Sequence, residues 1–196
     1  MQVTYTNRKG KTYYLCRGVT KTGKPRYYCA TSPKGEPVEQ IPDGYEIRES
    51  VNGVVSLAKK RPAQILPEER AAVETAIKRH PKTRNYRIDV KGKHIVVYER
   101  TGAGIDTLSP MLRRIGDVSL GAVEKLQSFL DETAHYAPVM RFTLSDEEKR
   151  TFYTERWCYL GRIDDWIDIG PGGPVYLLAQ RFIPLLGTDA LYDVHF

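Results

Sequence analysis

Cysteine occurs three times in this 196-residue chain. So few, and an odd number, exclude the disulfide framework of small secreted domains and fit a reducing compartment. Long apolar runs are also missing: the longest, such as Val175 to Ala179, fall far short of the ~20 residues of a membrane-spanning helix. The start, MQVTYTNRKGK, is charged and lacks the apolar stretch of a secretory leader. A cytoplasmic protein with no membrane contact is expected. The most telling absence is local, because no Asp or Glu occurs before Glu36.

Basic and aromatic residues fill that acid-free stretch. It carries eight cations, Arg8, Lys9, Lys11, Arg17, Lys21, Lys24, Arg26 and Lys34, and five tyrosines, Tyr5, Tyr13, Tyr14, Tyr27 and Tyr28. A surface of one sign attracts polyanions, and rings set among cations suit base or sugar stacking. The net charge of +6 hides an asymmetry. Residues 1–100 hold 21 basic and 10 acidic side chains, and residues 101–196 hold 9 and 14. A basic working half and a mildly acidic body follow.

The chain reads as α+β: an N-terminal three-stranded antiparallel meander and further hairpins, then a body with three to four helices. The organisation expected is a basic β-rich module over 1–61 and an α+β body over 62–196. Strands are predicted over 2–7, 12–19 and 26–31, joined at Lys9-Gly10 and Thr22-Gly23, where glycine suits positive φ. Read as two-residue turns, these set Tyr5 opposite Tyr14 and Cys16 opposite Cys29. One face then collects Val3, Tyr5, Tyr14, Cys16, Tyr27 and Cys29 and packs on the body. The other collects Thr4, Thr6, Tyr13, Leu15, Arg17, Arg26 and Tyr28 and meets a partner. In layout this segment resembles the small three-stranded arm-binding sheets of some tyrosine recombinases. The resemblance covers about 35 residues, and no recombinase catalytic residues follow.

Hairpins are predicted around Asn52-Gly53 and Lys91-Gly92, the second placing His94 opposite Asp89. Helices are predicted from Pro67 to about Arg79, with Val73, Ala76, Ile77 and His80 inward, and from Ser109 to Ile115. Another runs from Ser119 to Tyr136, with Val123, Leu126, Phe129 and Leu130 inward, and a last one spans Val175 to Leu186. Thr151 to Leu160 supports two assignments. Ser145 and Glu148 fit a helix capping box, whereas alternating aromatics favour a strand paired with 139–144, the assignment preferred.

Arg17, Arg26, Tyr13 and Tyr28 are the candidate base or sugar contacts, and Arg8, Lys9, Lys11, Lys21 and Lys24 the candidate phosphate contacts. Lys59, Lys60 and Arg61 extend the basic surface, and Arg79, Lys82, Arg84, Arg87, Lys91 and Lys93 add further charge. The plainer account, a solvated sheet kept from aggregating by its lysines, explains the lysines but not the lack of acids. Asp164, Asp165 and Asp168 would share a magnesium ion in a nuclease if grouped. Capping and ion pairing are their more ordinary roles, and no metal or other cofactor is expected.

These residues argue for binding more strongly than for catalysis. The reading they favour is a non-catalytic nucleic-acid-binding protein, for DNA or RNA, serving as a regulatory or accessory subunit in a bacterial or phage system. The second is an assembly subunit whose basic face meets an acidic protein partner. The third is a divalent-metal nuclease.

Overall fold

The computed structural model describes residues 1–102, 120–159 and 164–193. Among them the fold is α+β, with antiparallel sheets built from β1 (Thr4–Thr6), β2 (Thr12–Val19), β3 (Pro25–Ala30), β4 (Glu36–Pro37), β5 (Tyr45–Glu49) and β6 (Val55–Lys59). Helix α1 (Pro67–Arg79) precedes β7 (Tyr86–Lys91) and β8 (His94–Thr101), and α2 (Leu120–Thr133) precedes β9 (His135–Asp146). Then come β10 (Thr151–Tyr159), β11 (Asp164–Asp168) and α3 (Val175–Phe182). Two compact units emerge from the contacts. The first contains Met1–Pro62 and, of the described residues, 120–134; the second contains Ala63–Gly102 and the described residues from His135 onward.

In the first unit β1, β2 and β3 form the expected meander. Strand β4 continues along the β1 edge of β2, where Val3 N–H donates to Val38 O at 2.8 Å and Val38 N–H to Leu15 O at 3.3 Å. The register differs from the two-residue-turn expectation. Asn7 closes on Lys11, Thr20 on Lys24 and Ser50 on Val54, so each loop holds three residues and ends in a glycine at positive φ: Gly10 at 72°, Gly23 at 76° and Gly53 at 77°. A type I turn followed by a left-handed residue has this form. The residue before each loop stabilises it, since Asn7 Oδ1, Thr20 Oγ1 and Ser50 Oγ each accept an amide proton from across the loop.

The second unit is a five-stranded antiparallel meander, β11-β10-β9-β8-β7. Alternation buries Tyr86, Ile95, Val97, Met140, Phe142, Leu144, Phe152 and Ile169 in a core shared with α1 and α3. Helix α1 supplies Val73 and Ile77, and α3 supplies Val175, Leu178, Ala179 and Phe182. Pro184 falls where α3 gives way to a 3-10 turn over Ile183–Leu185, so the last helix ends earlier than its apolar pattern suggests. Thr151–Tyr159 is a strand paired with β9 through the acidic turn, as preferred.

Two helix expectations meet the structure differently. Of the helix expected over 119–136, the described residues show Leu120–Thr133, and His135 and Tyr136 already belong to β9. Phe129, expected inward, is 60% exposed. The helix expected at Ser109 to Ile115 lies outside the described residues.

One ion pair ties α1 to the β9–β10 turn. Glu69 is buried, and its carboxylate accepts from Leu66 N–H at 2.8 Å and from Arg150 Nε and Nη2 at 2.8 and 2.6 Å. Arg150 also donates to Gln64 O at 2.9 Å and is the one non-glycine residue at positive φ among those described, at 48°. Removing the guanidinium leaves a buried carboxylate with one donor. Arg150→Met is therefore expected to lower unfolding free energy by about 3 kcal/mol, read from urea denaturation. Glu69→Gln in the same background should recover part of that loss.

Candidate nucleic-acid interface and a polar sheet face

The three-residue loops shift the first two pairings by one position, and a slip of one moves a strand's side chains to the opposite face. Tyr5 lies opposite Tyr13, Leu15 opposite Cys29, Cys16 opposite Tyr28, and Arg17 opposite Tyr27. Tyr13 and Arg17 therefore share a face with Tyr5, Leu15, Tyr27 and Cys29. Arg26 and Tyr28 share the other with Thr4, Thr6, Tyr14 and Cys16. The expected quartet of Tyr13, Arg17, Arg26 and Tyr28 is divided between two surfaces. Cys16 and Cys29 are likewise on opposite faces, with Cys16 fully buried.

The first face is turned toward the β5–β6 hairpin. Tyr13 donates its hydroxyl proton to Gly53 O at 3.4 Å, and Tyr5 donates to Glu49 Oε2 at 3.0 Å. Tyr28, on the other face, is held in place. Its hydroxyl donates to Lys34 O, and a Cβ would lie 3.3 Å from its ring at Gly18 and 2.6 Å from its hydroxyl at Gly35. Neither Tyr13 nor Tyr28 stands free as a stacking platform.

Acids that follow the basic stretch fold back upon it. Glu49 pairs with Arg8 Nε at 2.8 Å, Glu36 with Arg17 at 3.8 Å, and Glu39 with the N-terminal ammonium at 3.1 Å. Burial pushes the Glu49 carboxyl up, yet hydrogen bonds from Arg8 and Tyr5 outweigh it and leave the pKa below the ordinary value. Lys9 Nζ donates to Ala134 O at 2.9 Å. The cations that remain, Lys11, Lys21, Lys24, Arg26, Lys34, Lys59, Lys60 and Arg61, are exposed and have no acidic partner among the described residues.

In the second unit Asp164, Asp165 and Asp168 lie on β11, not on a helix. They stand opposite Tyr159, Cys158 and Glu155. Strand alternation assigns Asp165 and Asp168 to opposite faces. Asp165 Oδ1 accepts from Trp166 N–H at 2.7 Å. Among the described residues no three His, Cys, Asp or Glu side chains are grouped to hold a metal ion. Arg87 lies over the Tyr136 ring at 5.4 Å, and His94 stands opposite Lys91 rather than Asp89. That slip of two positions leaves its face unchanged.

The sheet face opposite the core carries a constellation invisible in linear sequence. Strand pairing aligns Lys91, His94, Thr143 and Tyr153 in one row, and Asp89, Val96, Arg141, Glu155 and Asp168 in the next. Glu155 receives Arg141 Nε at 2.7 Å and Nη2 at 2.6 Å, together with the Thr143 hydroxyl. His94 Nδ1 lies 2.9 Å from Thr143 Oγ1. Arg141 stacks 4.4 Å from the Trp166 ring centroid, and Trp166 meets Trp157 edge to face at 5.1 Å. Lys91 Nζ donates to Tyr98 Oη at 2.6 Å. Among protein-family models, curated proteins and solved structures, nothing matches this chain.

Electrostatics on this face follow from its contacts. Burial raises the Glu155 carboxyl, but donation from Arg141 and Thr143 overrides it and holds the pKa below its usual range. Burial pulls the His94 pKa down, and the charges of Arg141 and Lys93 pull it further, against the opposing field of Glu155. A groove of about 440 Å³ between α1 and α3 is lined by Ala71, Ala72, Ala76 and Ala179 together with Glu68, Thr75, Arg79, Tyr176, Gln180 and Pro184. It brings together no comparable set of chemical groups.

A carboxylate whose pKa is depressed by folding stabilises the fold above its unfolded value of 4.5, and that contribution is lost as pH falls through the folded value. Glu155→Gln should accordingly cost about 2 kcal/mol at pH 7. The gap between variant and wild type should shrink at pH 3, as measured by urea unfolding at both pH values.

Proposed function

We propose that the protein binds nucleic acid, with the first unit serving as a non-catalytic grip on the phosphate backbone. One observation carries this reading. Residues 1–62 hold twelve Lys or Arg and five Asp or Glu. The acids that make ion pairs there engage Arg8, Arg17, Arg48 and the N-terminus, and eight exposed cations have no acidic partner among the described residues. Cations presented in this way release condensed counterions when they meet phosphates, which gives affinity without requiring sequence recognition.

The β2–β3 loop is the natural leading element. Lys21 and Lys24 flank its turn, and Arg26 lies in the first pairs of the hairpin, opposite Gly18, and is exposed. The grip is thus centred on Lys21, Lys24 and Arg26, with Lys11, Lys34, Lys59, Lys60 and Arg61 around it. Arg8 and Arg17 are engaged by surface ion pairs, and Lys9, Tyr13 and Tyr28 by hydrogen bonds within the unit that presents these groups.

The test is fluorescence anisotropy with a duplex and a single-stranded oligonucleotide across a salt series. Each phosphate contact contributes about 0.9 to the slope of log affinity against log salt on duplex DNA, or about 0.7 on a single strand. Changing Lys21, Lys24 and Arg26 together to Glu is expected to flatten the duplex slope by roughly 2 to 3 and to weaken binding to every sequence alike. Binding that ignores both salt and the triple substitution would remove the proposal.

A further inference from the structure

The hydrogen-bond chain on the polar face of the second unit has a fixed direction. Glu155 is an ionised carboxylate and can only accept, taking two protons from Arg141 and one from Thr143. A threonine hydroxyl has a single proton, and here it is committed to Glu155. Thr143 Oγ1 must therefore accept from His94 Nδ1, 2.9 Å away. That fixes the tautomer: His94 carries its proton on Nδ1 and keeps the lone pair on Nε2, which has no hydrogen-bond partner among the described residues. Burial and the nearby cations keep the ring neutral at pH 7.

The surroundings of that lone pair favour an anionic ligand. Lys91 pairs across from His94 on β7 but directs its ammonium to Tyr98 Oη at 2.6 Å, Lys93 precedes His94 in the chain and is exposed, and Arg141 faces it from β9. The opposing charges are Glu155, already engaged by Arg141, and Asp89, one row away on β7. Tyr153 closes the row and is 43% exposed. It lies two strands from His94, about 10 Å at ordinary strand spacing. Gly172 leaves room beside it, since a Cβ there would come within 2.9 Å of the Tyr153 ring.

A neutral imidazole base, adjacent cations and an exposed ring match a ligand with a weakly acidic hydroxyl, a phosphate and a flat base. RNA joins all three within one nucleotide. DNA lacks the hydroxyl. We propose that this row is a metal-independent RNA-cleaving site, with His94 Nε2 as general base, Lys93 on the phosphate, and Tyr153 stacking the base; it rests on the nucleic-acid reading above. In the step, Nε2 takes the proton of the ribose 2′-hydroxyl and the 2′-oxygen attacks the adjacent phosphorus. The new O2′–P bond forms as the P–O5′ bond breaks, and the departing 5′-oxygen takes a proton from water. The products are a 2′,3′-cyclic phosphate and a 5′-hydroxyl, and the imidazolium returns its proton to solvent. Nucleophile and phosphorus belong to one nucleotide, so the reaction needs orientation more than a metal. Thr143 and Glu155 are positioning residues, acting through the tautomer they impose.

The experiment uses the full chain in EDTA with a mixed-sequence 20-mer of RNA and its all-deoxy counterpart. RNA should be cut to fragments ending in 2′,3′-cyclic phosphate, the deoxy strand should remain whole, and the rate should rise with pH through the His94 titration. His94→Gln should lower the rate at least 100-fold without changing the salt dependence of RNA binding. Thr143→Val, which keeps the shape but breaks the chain, should displace the pH midpoint. Imidazole ¹⁵N spectra should show the proton on Nδ1. RNA that is bound but left intact overturns this inference alone, as does an Nε2–H tautomer or His94→Gln cutting at the wild-type rate. Binding to DNA but not to RNA likewise overturns this inference alone, whereas absence of binding to both overturns it together with the binding proposal.

Discussion

The arrangement of the first unit depends on glycines held at positive φ at the end of three-residue loops. Gly10, Gly23 and Gly53 each follow, by three positions, a side chain that accepts amide protons across the loop: Asn7, Thr20 and Ser50. A residue with a Cβ is strained in that conformation. Because the loop has three residues rather than two, every pair beyond it is displaced by one. A slip of one is the largest change a strand can suffer without unfolding, because it exchanges its two faces. Which tyrosine packs and which arginine is free both descend from that local geometry.

The same fold-back changes the meaning of the basic stretch. Thirty-five residues without an acid suggest an uninterrupted positive surface, yet the chain returns Glu36, Glu39 and Glu49 to neutralise specific groups within it. Glu49 is the most consequential of the three. It joins Tyr5 and Arg8 by side-chain contacts and accepts the Arg8 backbone N–H at 3.1 Å. Arg8 then reaches the carbonyl of Ser50, the residue that opens the next loop. A cation so engaged has exchanged freedom for position, and the exposed positive charge of this unit is what remains after such pairs are removed.

Features set by local chemistry were legible in the sequence. Helix α1 could be read from Pro67, its acidic first turn and the Val73/Ile77 stripe, and the hairpins from their glycines. The α+β class followed from both. Loop length was also legible, in the three-residue spacing from Asn7, Thr20 or Ser50 to the glycine, although the x-Gly pair alone suggests a shorter turn. That spacing is not decisive by itself, because Asp89 precedes Gly92 by three and yet β7 and β8 close on a two-residue loop. A three-residue loop there would set Ile95 against Arg87 and Val97 against Asn85 across the strands. The observed pairing instead puts Ile88 with Val97 and Val90 with Ile95 on the core face. Burial of a whole sheet face outweighs the preference of one turn.

The polar row was not legible, for a different reason. His94, Thr143 and Glu155 come from three strands, and each is unremarkable among its neighbours in sequence. Their relation is created by two strand pairings, β8 with β9 and β9 with β10, and by a bulge between Val97 and Tyr98 that realigns β8 against β9. A meander buried on one side under α1 and α3 leaves the alternate residues of all five strands on the opposite face. Apolar residues there would not need one another, but a carboxylate half withdrawn from water does need donors. Arg141 and Thr143 supply them from the next strand. Once Thr143 has given its proton, His94 can satisfy that oxygen in only one tautomer, so the orientation of a single proton is the last consequence of strand register.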